Sequence, residues 1–137
     1  MKILKISTDN KLTEHEFKSD NGYLRGLIGA DCELYERVSP NRLYTELGHA
    51  YRPGMLPGTA ISMLVDEEDL CKHLAVNMVG SWLYEADKHG SPIVGDILFV
   101  GEMWGSEGVD FCGIEEATFM KLRSQLLELL EEANRKE

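Results

Sequence analysis

The stretch Ser91 to Gly101, SPIVGDILFVG, holds the longest apolar run in the chain and is bounded by glycine on both sides. Side chains alternate along a strand, so Ile93, Gly95, Ile97 and Phe99 would share one face, and Val94, Asp96, Leu98 and Val100 the other. A strand apolar on both faces is an interior strand, covered above and below. This stretch is therefore expected at the centre of a sheet.

The rest of the chain supplies partners for such a strand. Lys2 to Thr8 and Leu12 to Phe17, separated by Asp9, Asn10 and Lys11, predict an N-terminal hairpin. The polar run from Ser19 to Gly22 offers a cap for a short helix carrying Tyr23, Leu24, Leu27 and Ile28 and closed by Gly29. Asp31 to Val38 alternates in strand fashion, and Thr59 to Asp66 has two mostly apolar faces. Between them, Ser39 to Gly58 carries all but one of the four prolines and predicts a long loop with one helical turn around Leu43 to Leu47. Asp66 to Asp69 suits the start of a helical turn over Leu70 to Leu74. Val76 to Gly90 ends in EADKHG, which has the composition of a hairpin loop, and EMWGSEGVDFCG after Gly101 predicts a glycine-rich connection. From Glu115 to Ala133 the apolar residues Phe119, Leu122, Leu126, Leu129, Leu130 and Ala133 recur at helical spacing, with acids at the start and Arg135 and Lys136 at the end. Met120 and Leu127 widen that stripe and mark a candidate homodimer seam. These elements predict a single α+β domain over residues 1–137. It has a mixed, largely antiparallel sheet of about five or six strands, with the C-terminal amphipathic helix packed on one face.

Charge and cysteine usage narrow the function classes. Twenty-four acids against 14 bases give a net charge of −10, which repels phosphate backbones, so no direct nucleic-acid binding is expected. The acidity suits a basic protein partner, imitation of DNA charge, or plain solubility. No run reaches the ~18 apolar residues of a membrane span, and the N-terminus lacks a signal-peptide core. Cys32, Cys71 and Cys112 are odd in number and form no CxxC pair, which predicts reduced thiols and a cytoplasmic protein.

The candidate chemistry is sparse. Cys71 and His73 diverge at their spacing on a helix, and His15 and His49 lie in separate elements, so no metal site is expected. Neither GxGxxG nor GxxxxGK[ST] occurs, and no cofactor is expected. Asp96 interrupts the apolar strand, and a carboxylate there must be paired, hydrogen-bonded or shifted in pKa. A place at the solvent edge, or a cap on neighbouring backbone, is the reading preferred over a functional carboxylate. Asp87 with His89 forms a candidate acid/base pair, and Cys112 has no base fixed by sequence. Arg42, Tyr44, His49, Tyr51 and Arg52 form the best ligand surface, because they gather basic and aromatic groups against a single acid, Glu46. Such a loop suits a small anionic ligand such as a nucleotide.

Taken together, the MKILKI strand, LRGLIG before ELYERV, SMLVDEEDL, Asn77 in the following turn, PIVGDILFVGE and the DFCGIEE start of the last helix resemble a domain family of unknown function carried by bacterial, phage and plasmid genomes. The likeness covers most of the chain, although Ser39 to Gly58 and EADKHG are longer than that family's usual connections. The resemblance implies a setting: small acidic proteins of mobile elements that act as accessory or counter-defence factors by binding. The expectation is a small acidic non-enzymatic binding protein, an inhibitor acting through protein–protein contact. The alternatives are a protein sequestering a small anionic ligand, and a small hydrolase or transferase using Asp96 or His89.

Overall fold

The computed structural model describes residues 1–49, 56–68 and 72–135. The element order is β1 (Lys2–Ile6), β2 (Leu12–Glu16), α1 (Asn21–Ile28), β3 (Tyr35–Val38), α2 (Asn41–Thr45), β4 (Ile61–Asp66), α3 (Met78–Tyr84), α4 (Ala86–His89), β5 (Ile97–Gly105), β6 (Gly108–Cys112) and α5 (Glu116–Arg135). The sheet is antiparallel at every described pairing, in the order β2-β1-β5-β4-β3, with β6 on the far half of β5. The fold is α+β, and the C-terminal helix packs on the sheet. No helix among the described residues is long and apolar enough to cross a membrane.

Strand β5 is the middle strand, as its two apolar faces require. Ile97 and Phe99 join Leu4, Ile6, Ile61, Met63 and Val65 in the larger core, closed by Leu43 of α2, Val79 and Leu83 of α3, and Phe119, Leu122, Leu126 and Leu130 of α5. Leu98 and Val100 join Ile3 and Leu64 on the opposite face, beneath Leu24 and Ile28 of α1. Burying a leucine-sized side chain contributes about 1.5–3 kcal/mol, so this two-sided strand, like β4 beside it, contributes to both cores.

The strand is shorter at its start than the sequence suggests. It begins at Ile97 rather than Ser91, because Gly95 turns left-handed at φ +81 and Asp96 faces back to the hairpin. The Thr8 backbone N–H donates to Asp96 Oδ1 at 3.0 Å, and Lys5 Nζ lies 3.3 Å from Oδ2. Strand β3 covers only the second half of the predicted Asp31 to Val38 run, since Cys32 lies buried beside α1 with its N–H donating to the Gly29 carbonyl. The helical turn predicted around Leu43 to Leu47 occurs earlier, as α2.

Two segments correct the sequence reading. EADKHG forms no hairpin loop: Asn77 caps α3, and Glu85, left-handed at φ 65, joins it to α4. EMWGSEGVDFCG, expected as a glycine-rich connection, does turn, at Ser106 and Glu107, but between two paired strands, because β5 runs on to Gly105 and folds back into β6. Helix α5 matches its expected span within two residues. Glu115 caps its start, accepting from the backbone N–H groups of Thr118 at 2.9 Å and Ala117 at 3.1 Å. Those bonds hold the Glu115 carboxyl below the usual carboxylate range.

Candidate functional site

The loop residues nominated from sequence turn inward. Arg42 Nε lies 2.9 Å from Glu46 Oε2, its Nη1 donates to the Trp82 carbonyl at 2.8 Å, and its Nη2 reaches Asp87 Oδ1 at 3.2 Å. The guanidinium also lies over the Trp82 ring, 4.9 Å from its centroid. Every edge of the fork therefore has a partner supplied by the fold, and a bound anion would have to displace one. The Tyr44 hydroxyl donates to the Ile61 carbonyl and accepts from the Ile61 N–H at 2.9 Å, which fixes α2 against the start of β4. Tyr51 and Arg52 lie outside the described residues.

His49 is buried, with a ring nitrogen 2.6 Å from Gln125 Oε1 on α5. Burial pushes its pKa below the ordinary 6.5, with Lys121 acting in the same direction and the Gln125 bond opposing. A base whose folded pKa is depressed adds stability that is present above the unfolded value and is lost as pH falls through the folded one. The melting temperature is therefore expected to drop as pH is lowered below about 6.5, and His49→Gln should flatten that part of the profile. A profile equally steep in the variant would remove His49 as the cause.

The other nominated groups are also separated. Asp87 pairs with Arg42, whereas His89 stacks on Tyr84 with ring centroids 4.8 Å apart, so no acid/base pair forms. Cys71 lies outside the described residues, and no group of three or more metal-ligating side chains converges among the rest. Burial, with nearby Glu102 adding to it, pushes the Cys112 thiol above its ordinary value, away from nucleophilic thiolate.

Sequence reasoning missed a polar cluster built on a buried acid. Glu102 sits on β5 with its side chain 0% exposed; its Oε1 accepts from Arg37 Nη2 at 2.8 Å and from Ser62 Oγ. Register explains the meeting, because Arg37 pairs with Leu64 on β4 and Ser62 with Val100 on β5, placing all three on neighbouring strands. The cluster ties β3, β4 and β5 together where β5 leaves the sheet body. The only signal in the sequence was an acid two residues past an apolar run.

Beyond that point β5 changes character. Up to Gly101 it is paired with β4, but Met103, Trp104 and Gly105 have only β6 as a strand partner among the described residues. The result is a two-stranded arm continuing out of the sheet. Its base is packed, with Phe111 ring-to-ring with Tyr35 at 6.4 Å. Further out, Trp104 and Val109 are cross-strand partners, 54% and 41% exposed. The exposed acids Glu107 and Asp110 flank them. An exposed tryptophan beside a second apolar residue, held by a strand pair, is a surface that recognition uses and solvation does not favour.

No family model, curated protein or solved structure matches the chain.

Proposed function

We propose that this chain is a small acidic binding protein that acts by protein–protein contact, with the arm formed by Gly101 to Cys112 as its principal contact element. The observation that supports the reading is the exposed Trp104 and Val109 pair at the end of that arm. Tryptophan is enriched among residues that dominate interface energies, and a strand pair presents it at low entropic cost. The net charge of −10, with Glu107 and Asp110 beside the pair, selects a partner whose matching surface is basic. An inhibitor of a host defence component is the role that fits such a molecule on a mobile element. The anionic-ligand reading finds less support, because its central arginine, Arg42, already has Glu46, Asp87 and the Trp82 carbonyl as partners.

The test is capture of a partner by tagged protein at low ionic strength. Trp104→Ala is expected to weaken the complex by roughly 30-fold or more, with the melting temperature unchanged because the side chain is exposed. Raising salt to about 0.5 M should slow association by screening the acids. A complex that survives Trp104→Ala at full strength would contradict the reading.

A further inference from the structure

Asn21 and Gly22 are the one Asn-Gly pair in the chain, and both are exposed in the first turn of α1. This dipeptide carries its own chemistry. Glycine has no side chain to shield its backbone nitrogen, so that nitrogen can attack the asparagine Cγ. The new N–Cγ bond forms, the Cγ–Nδ2 bond breaks, and the side-chain nitrogen leaves as ammonia with the proton from the glycine N–H. Water then opens the five-membered imide at either carbonyl. One product is aspartate; the other is isoaspartate, with an extra methylene in the main chain.

The fold opposes the first of these steps. A planar ring needs the Asn21 Cβ and the Gly22 nitrogen eclipsed about the Cα–C bond, about 80° in ψ from the helical value that Asn21 holds. The Leu24 N–H, donating to the Asp20 carbonyl at 3.1 Å, closes the turn that keeps this angle. The attacking nitrogen is tied as well, because the Gly22 N–H donates to Asp20 Oδ1 at 2.8 Å, an oxygen that also accepts from the Tyr23 N–H at 3.2 Å. The group under attack is anchored from β3, where the Tyr35 hydroxyl donates to Asn21 Oδ1 at 2.7 Å. Ring closure therefore waits for the turn to open.

We propose that Asn21 is a site of spontaneous deamidation whose rate is set by opening of the first turn of α1, with Asp20 and Tyr35 as its latch. The change is one-way. Isoaspartate at position 21 lengthens the main chain inside the turn that the Leu24 to Asp20 bond closes, and it moves the acceptor away from the Tyr35 hydroxyl. Tyr35 also packs on Phe111, so the damage reaches the base of the arm. The inference does not rest on the arm's role in binding.

The test is peptide mass spectrometry of the full-length protein aged in mildly alkaline buffer, beside the free peptide Ser-Asp-Asn-Gly-Tyr. The protein should deamidate roughly tenfold or more slowly than the peptide. Asp20→Ala should speed the reaction about fivefold, because loss of a cap raises the open population by about that factor. Tyr35→Phe should speed it about threefold by removing the anchor on Asn21. Asp20→Asn caps equally well and should stay within about twofold of the parent. Low urea favours opening without altering the dipeptide, so it should carry the parent's rate toward the peptide's, even if Asp20→Ala fails to fold. Catalysis within the closed turn, with Asp20 as base and Tyr35 as acid, requires the reverse, both variants slower and the rate indifferent to urea. Asp20→Ala and Tyr35→Phe proteins no faster than the parent, a rate indifferent to urea, or a parent as fast as the peptide would overturn the proposal.

Discussion

Asn77→Asp is expected to destabilise the fold by about 3–5 kcal/mol, at least as much as Asn77→Ala, although aspartate caps helices as well as asparagine does. The side chain is fully buried and works in two directions. Its Oδ1 accepts from the Gly80 N–H at 3.0 Å, capping α3, while its Nδ2 donates to the carbonyls of Ile6 and Gly95, both at 3.1 Å. Asparagine alone among the small polar residues offers an acceptor and a two-hydrogen donor in one plane. Alanine loses all three bonds in a buried setting, where each unmet group costs about 1–3 kcal/mol. Aspartate keeps the cap but turns a charged oxygen toward two carbonyl oxygens. Chemical denaturation of the three proteins checks the order, and an Asn77→Asp variant as stable as the parent would contradict it. Because Asn77 joins the end of β1, the turn at Gly95 and the start of α3, the loss should be cooperative across the whole sheet.

The second large effect is expected at Gly101. A Cβ built there would lie 2.5 Å from the Gly113 carbonyl oxygen and 2.7 Å from the Gly58 Cα, both backbone atoms that cannot rotate away. Gly113 is equally tight, with its Cβ position 2.3 Å from the Met1 Cβ. Three chain segments thus cross at glycine, at the point where β5 leaves the body and becomes the arm. Gly101→Ala is expected to cost about 3 kcal/mol, at the upper end of ordinary overpacking, and Gly101→Val more. The measurement is again denaturation, and the alanine variant should also shift the amide signals of Gly58 and Gly113. A loss under about 0.5 kcal/mol, the range of neutral surface changes, would show that the crossing is looser than described.

The elements legible from sequence are those whose periodicity is uninterrupted. The hairpin of β1 and β2, α1, the β4 strand, the middle position of β5 and the whole of α5 follow from alternation or helical spacing, and the structure contains each of them. What sequence reasoning lost was hidden by composition. Glu85 to Gly90 have the composition of a hairpin loop, yet Val79 and Leu83 stand four apart and both enter the core, the spacing that α3 required. Gly105 and Gly108 read as a glycine-rich connection, although Gly108, at φ +118, takes up the backbone conformation that lets the chain fold back after Ser106 and Glu107. The candidate loop failed for a different reason. Arg42 and Tyr44 are polar and aromatic in a proline-rich segment, and nothing local says that Glu46, Asp87, Trp82 and Ile61 will meet them. Burial of polar groups depends on partners far along the chain, as Glu102 with Arg37 and Ser62 also demonstrates.

The most direct check on the binding reading is amide hydrogen exchange of the protein alone and with its captured partner. The account predicts new protection over Met103 to Asp110, with the Trp104 and Val109 amides slowed most and the α3 to α4 segment unchanged. Protection centred on α2 and Arg42, with the Gly101 to Cys112 arm exchanging as freely as in the isolated protein, would contradict it.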